Sequence, residues 1–177
     1  MSPNPAPSAP AFLYGTAWKE DRTPALVELA LRTGFRGIDT ANQRRHYFEA
    51  GVGQGLAAAY RAGVVTRDDL FLQTKFTYAR GQDHRLPYDP SAPLARQVEQ
   101  SFASSLEHLG TSYVDSYVLH GPEGARGLTA GDVEVANHFT STHPDSVFRR
   151  TLTIQRDRKS TRLNSSHMPV SRMPSSA

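Results

Sequence analysis

The sequence predicts an α/β fold in which strand–helix units repeat around a parallel sheet. Two observations lead there. Three short apolar runs, Arg36–Asp39 (RGID), Leu70–Lys75 (LFLQTK) and Tyr113–His120 (YVDSYVLH), each close on an ionisable residue just before a loop. Segments of helical period separate them, which is the pattern of βα units rather than of hairpins. In parallel folds the C-terminal strand ends gather around one pocket, so Asp39, Lys75 and His120 are expected to meet there. Tyr47, at the start of the helical pattern that follows the second strand, is expected beside them.

Residues 1–11 carry prolines at positions 3, 5, 7 and 10 among small residues, a disordered lead that buries nothing. Phe12–Thr16 reads as the first strand, with Gly15-Thr16 turning out of it. Thr23 followed by Pro24 reads as a helix start, Thr23 as the N-cap and proline where its missing N–H costs nothing. Leu26, Val27, Ala30 and Leu31 form that helix's apolar face, and Gly34 suits a left-handed end. The next helix presents Val52, Leu56, Ala59 and Tyr60 and ends at Gly63; its Gly51, Gly53 and Gly55 read as close packing, not as a phosphate loop. A third begins near Ser91 and Pro93, buries Leu94, Val98, Phe102, Leu106 and Leu109, and stops at Gly110. The polar stretch between Phe76 and Pro90 is too long for an idle connection and is expected to shape a substrate pocket.

Composition removes several function classes. Cysteine is absent, which excludes disulfides, thiolate metal sites and a cysteine nucleophile. The histidines show no paired ligand spacing, so no metal site is expected. No apolar run is long enough to span a membrane and no signal-peptide pattern opens the chain, so a cytoplasmic protein is expected. The net charge of +3 arises from the tail: seven Lys or Arg from Arg149 onward face one acid, Asp157, leaving the preceding residues at −3. Nucleic acid is therefore not an expected partner.

The stretch from Phe12 to about Pro122 resembles the aldo-keto reductases, through FLYGTAW, GFRGIDTANQ, HYFEAGVGQGL, FLQTKF and SYVDSYVLHGP. The resemblance implies a partial (β/α)8 TIM barrel of about four βα units. It implies NAD(P)H-dependent reduction of an aldehyde or ketone to the alcohol, with NADPH as cofactor and NADH as the alternative. The catalytic set is then Asp39, Tyr47, Lys75 and His120, the cofactor contacts Thr16 and Asp39, and the substrate contacts Trp18 and His120, with a small carbonyl compound as substrate. Glu49 is expected to pair or cap at its helix start.

The chemistry suits those residue types. A phenol, with a reference pKa of about 10, is protonated at neutral pH and can deliver a proton to a carbonyl oxygen taking up charge. An ammonium beside it favours the phenolate, a carboxylate holds the ammonium charged, and an imidazole can hydrogen-bond the carbonyl. A complete barrel of this type needs about 250 residues, so turnover in a 177-residue chain is expected to be impaired or absent.

After Pro122 the strand–helix pattern stops. Asp132–Arg156 resembles part of the bacterial arylamine N-acetyltransferases, whose cysteine-containing triad this chain cannot form. Residues 123–158 are accordingly expected to be foreign or poorly ordered. Lys159–Ala177 is expected to be a disordered tail and is similar to translated sequencing-adapter ends. A chimeric reading frame accounts for all three changes of pattern. Two rival readings follow: a non-catalytic half-barrel that self-associates through unpaired sheet edges, and an acyltransferase fragment.

Overall fold

A computed structural model describes residues 10–124 and 129–142. Four short strands, β1 (Tyr14–Gly15), β2 (Gly37–Asp39), β3 (Phe71–Phe76) and β4 (Ser116–Leu119), form one parallel sheet in sequence order. Between them run α1 (Thr23–Arg32), α2 (Glu49–Arg61) and α3 (Leu94–Leu109), and α4 (Ala130–Thr142) follows β4. This is the expected α/β order, with β1 and β4 at the edges of the described sheet.

Register assigns the two faces. Asp39 lies opposite Gln73, Gln73 opposite Ser116, and Lys75 opposite Val118, so these residues share one face of the sheet. Ile38, Leu72, Thr74, Phe76, Tyr117 and Leu119 occupy the other, where the helices lie. The core on that side joins Val27 and Leu31 of α1, Val52, Leu56 and Ala59 of α2, and Val98, Phe102 and Leu109 of α3. Each fully buried leucine or valine among them contributes about 1.5–3 kcal/mol relative to an exposed one.

The glycines of α2 serve close packing, as expected. A Cβ on Gly53 would stand 1.9 Å from the His108 carbonyl oxygen, and one on Gly55 would stand 2.6 Å from that of Pro24. The expected helix ends are also present: Gly34, Gly63 and Gly110 all have positive φ just past their helices. The start of α1 differs from expectation. Thr23 is already helical, because a 3-10 turn at Glu20–Arg22 runs directly into α1, and its hydroxyl turns back to the Glu20 carbonyl at 2.6 Å.

At the N-terminal end of the sheet Arg67 ties the strands together. It meets Asp115 at 2.8 Å, donates to the carbonyls of Leu70 and Tyr113 and to the Thr111 hydroxyl, and lies over the Tyr113 ring at 3.8 Å. Asp115 also accepts the Leu72 amide at 2.9 Å.

Past Pro122, where the sequence pattern stopped, α4 packs on α3 and β4. Thr129 and Asp132 form its cap: Asp132 accepts the Thr129 amide at 2.6 Å, and the Thr129 hydroxyl accepts the Asp132 amide. Asp132 also takes the Tyr78 hydroxyl at 2.8 Å and the Glu123 amide at 2.8 Å, binding α4 to the loop after β3. The Thr129-x-x-Asp132 spacing is the sequence signature of this cap. The rest of the stretch likened to an acetyltransferase, residues 143–156, and the tail from Lys159 lie outside the described residues, as do residues 1–9 of the lead.

Candidate active site

Asp39, Lys75 and His120 stand within a residue of the C-terminal ends of β2, β3 and β4, and Tyr47 lies two residues before the start of α2. Strand alternation turns Lys75 to the face of Asp39 and away from the helices, where its ammonium is 0 % exposed. The Lys75 Nζ meets Asp39 Oδ1 at 2.6 Å and donates to the Thr40 carbonyl at 2.7 Å. Its charge also lies 5.1 Å from the centroid of the Tyr47 ring. Tyr47 in turn meets His120 edge to face, with centroids 5.7 Å apart and planes inclined by 74°. The four groups expected from sequence thus form one continuous cluster: carboxylate, ammonium, phenol, imidazole.

Burial pushes the Lys75 ammonium below the ordinary lysine value, and the charge and hydrogen bond of Asp39 oppose that. An ammonium this deeply buried is tolerable only because the carboxylate is in contact with it. Of its three donors, Asp39 and the Thr40 carbonyl take two among the described residues.

Neighbours that sequence reasoning did not single out hold the cluster in place. Gln73 donates to Asp39 Oδ1 at 2.7 Å and accepts from Ser116 at 2.9 Å, so a polar relay crosses β2, β3 and β4. The Thr77 hydroxyl lies 2.9 Å from His120 Nδ1. When that hydroxyl donates, Nε2 carries the ring proton and becomes the donor. Period two in FLQTKF was the available signal, since it sets Gln73 on the face of Lys75.

The remaining expected residues are placed as follows. Thr16 is fully buried, and both its amide and its hydroxyl bond the Asp39 carbonyl, at 3.0 and 2.9 Å. Its hydroxyl therefore serves the strand end that carries Asp39. Trp18 is 65 % exposed, stacks on His46 at 4.1 Å and has φ of 62°, an uncommon conformation for so large a side chain. Its amide bonds the His46 carbonyl at 2.7 Å, fixing the loop after β1 next to Tyr47.

The loop after β3 closes over the same end. Gln43 reaches the Gly81 carbonyl, Gln82 reaches those of Asn42 and Thr77, and Tyr88 reaches that of Thr77 at 2.7 Å. Tyr78 and Tyr88 pack on Phe76.

A reduced nicotinamide fits only in part against these residues. Asp39 is partly exposed, and Gly15, in register with it on the neighbouring strand, has open space where a side chain would stand. That offers room for a flat ring beside the carboxylate. The residues assigned here meet only that ring end. Those residues also contain no group of His, Asp and Glu arranged for a metal ion, and no helix long and apolar enough to cross a membrane.

The model of the aldo/keto reductase family matches residues 13–138. The match thus runs past Pro122 and includes most of α4. A Bombyx mori aldo-keto reductase is 35 % identical over 114 residues, which cover 61 % of this chain and 32 % of that protein. An NADP-dependent D-sorbitol-6-phosphate dehydrogenase of Malus domestica is 32 % identical over 105 residues, covering 59 % and 28 %. Among solved structures, the Bombyx mori enzyme in complex with NADP superposes with a TM-score of 0.60 at 26 % identity, over 82 % of this chain and 46 % of that one. A Brucella melitensis aldo/keto reductase gives 0.60 at 27 %, over 83 % and 49 %. The chain spans about a third or less of these curated relatives and under half of these solved structures.

Proposed function

The chain belongs to the aldo/keto reductase family, and from that premise we propose that the Asp39–Lys75–Tyr47–His120 cluster reduces the carbonyl of an aldehyde or ketone to the alcohol. NADPH, or NADH in its place, supplies the hydride when bound. The observation that carries this reading is the Lys75 ammonium, completely buried, in contact with Asp39 and facing the Tyr47 ring.

Each side chain has a distinct part. Tyr47 gives its proton to the carbonyl oxygen as negative charge gathers there. Lys75, held charged by Asp39, stabilises the phenolate oxygen left behind, and its low-dielectric surroundings strengthen that attraction. His120, oriented through Nδ1 by Thr77, presents Nε2 to the carbonyl oxygen and fixes its direction. Asp39 and the open edge at Gly15 receive the ring end of the cofactor. Trp18, on the exposed rim, and the loop from Thr77 to Pro90 bound the substrate side.

The full activity of a complete family member is carried over here by proposal. The 177 residues correspond to less than half of the solved relatives, and the residues assigned here meet only the ring end of the cofactor. We therefore expect weak cofactor binding and little turnover. The test follows NADPH and NADH consumption with a panel of aldehydes and ketones, for the chain and for Tyr47→Phe. Slow turnover that drops about 10²–10⁴-fold in the variant supports both parts of the proposal. Turnover indifferent to Tyr47→Phe overturns the assigned chemistry, and vigorous turnover abolished by it overturns the expected impairment.

A further inference from the structure

Glu49 opens α2 with its side chain only 3 % exposed, and both carboxylate oxygens are engaged. One accepts the Thr74 hydroxyl of β3, and the other lies 3.0 Å from His108 Nδ1 near the end of α3. A single buried carboxylate therefore joins three elements. Its position in the chain is significant: Tyr47 precedes it by two residues, and Lys75 immediately follows Thr74. Burying a carboxylate costs several kcal/mol unless its partners compensate, so any change in those partners shifts the elements they hold.

We propose that Glu49 is a positioning residue: shared by Thr74 and His108, its carboxylate sets how Tyr47 meets Lys75, and the proton on His108 makes that brace respond to pH. This rests on the reductase reading for its consequence, but its geometry is separate. Glu49 lies on the helix side of β3 and acts through the backbones that carry Tyr47 and Lys75.

His108 is reached by solvent. Its side chain is 37 % exposed, and it lines a cavity of about 380 Å³ together with Tyr47, Glu49, Arg44 and Arg85. The hydrogen bond to Glu49 holds His108 above the ordinary histidine value, with burial opposing and Glu107 on its own helix assisting. The other charged or titratable groups that Glu49 influences are Lys75, on the opposite face of β3, and Tyr117 of β4. Below the His108 titration the brace is charge-assisted; above it, the bond is between a neutral ring and a carboxylate and weakens.

The chain has three lysines, so the ε-methylene signal of Lys75 can be resolved with isotope-labelled lysine, and Tyr47→Leu identifies the part of its shift due to the ring. Thr74→Val should move the signal toward its place in Tyr47→Leu, and Thr74→Ser should restore it. The wild-type signal should also drift as His108 titrates, and His108→Gln should abolish that drift. A well-folded Thr74→Val with an unmoved signal overturns the proposal, as does a drift that survives His108→Gln. If Thr74→Val fails to fold, His108→Gln and the pH course decide. Aldehyde turnover in Tyr47→Phe tests the reductase reading independently, so a failure of either leaves the other standing.

Discussion

At the N-terminal end of the sheet Arg67 meets Asp115 at 2.8 Å; at the C-terminal end Lys75 meets Asp39 at 2.6 Å. Both are largely buried cation–carboxylate pairs that bridge neighbouring strands or their flanks, yet they differ in what surrounds the cation. The guanidinium of Arg67 spends its donors on Thr111, Leu70, Tyr113 and Asp115, and its face on the Tyr113 ring. Four of its five N–H donors are thus engaged around the strand starts. The ammonium of Lys75 is a point charge with an aromatic side chain beside it. A cation tied to several acceptors and capped by a ring holds strands together, and a compact charge set against a phenol ring can act on that third group.

The largest effect that would sharpen this contrast comes from Lys75→Met. Carbonyl reduction should fall by about 10²–10⁴-fold, while the melting temperature falls only modestly, because the Asp39 carboxylate left behind is partly exposed and keeps its bond from Gln73. A sharp fall in stability would show that the C-terminal pair is structural too. Asp115→Ala should behave in the opposite way. It strands Arg67 without its carboxylate and should cost about 3–5 kcal/mol in denaturant unfolding, with the Lys75 signal unchanged. A loss below about 1 kcal/mol would break the comparison from the other side.

The helix layer beneath both pairs offers a smaller test. Gly53→Ala drives a methyl group into the His108 carbonyl and should cost about 1–3 kcal/mol as α2 and α3 separate. Because that carbonyl belongs to the residue paired with Glu49, the substitution should also displace the Lys75 signal, which Asp115→Ala should not.

The smallest expected effect is the pH dependence of the brace. His108 has a folded value raised above the unfolded one, so its stabilisation is complete below the unfolded value, about 6.5, and is lost as pH rises through the raised folded value. Partial exposure of the ring keeps the effect small. Melting curves on either side of neutrality should show a decline in the wild type that is missing in His108→Gln, and equal declines would remove His108 from the account.

Local pattern carried most of the fold. The helical spacing of Val98, Phe102 and Leu109 and the glycine at 110 placed the end of α3, and its start at Leu94 falls one to three residues past the expected Ser91 and Pro93. Thr23 was misjudged as a cap because the 3-10 turn before it leaves no gap for a non-helical residue. The end of the family pattern was set at Pro122, whereas α4 continues beyond it, capped by Thr129 and Asp132 and covered by the family match to residue 138.

By itself the sequence determined the α/β class, the strand ends and the four residue types gathered at them, because periodicity, punctuation and residue chemistry act within a few positions of the chain. Only the tertiary structure decided which groups hold those four in place. Gln73 reaches Asp39 across 34 residues, Thr77 reaches His120 across 43, and Glu49 reaches Thr74 across 25 and His108 across 59. Hydrogen bonds between strands and helices that far apart depend on register and helix packing, which no short stretch of sequence encodes.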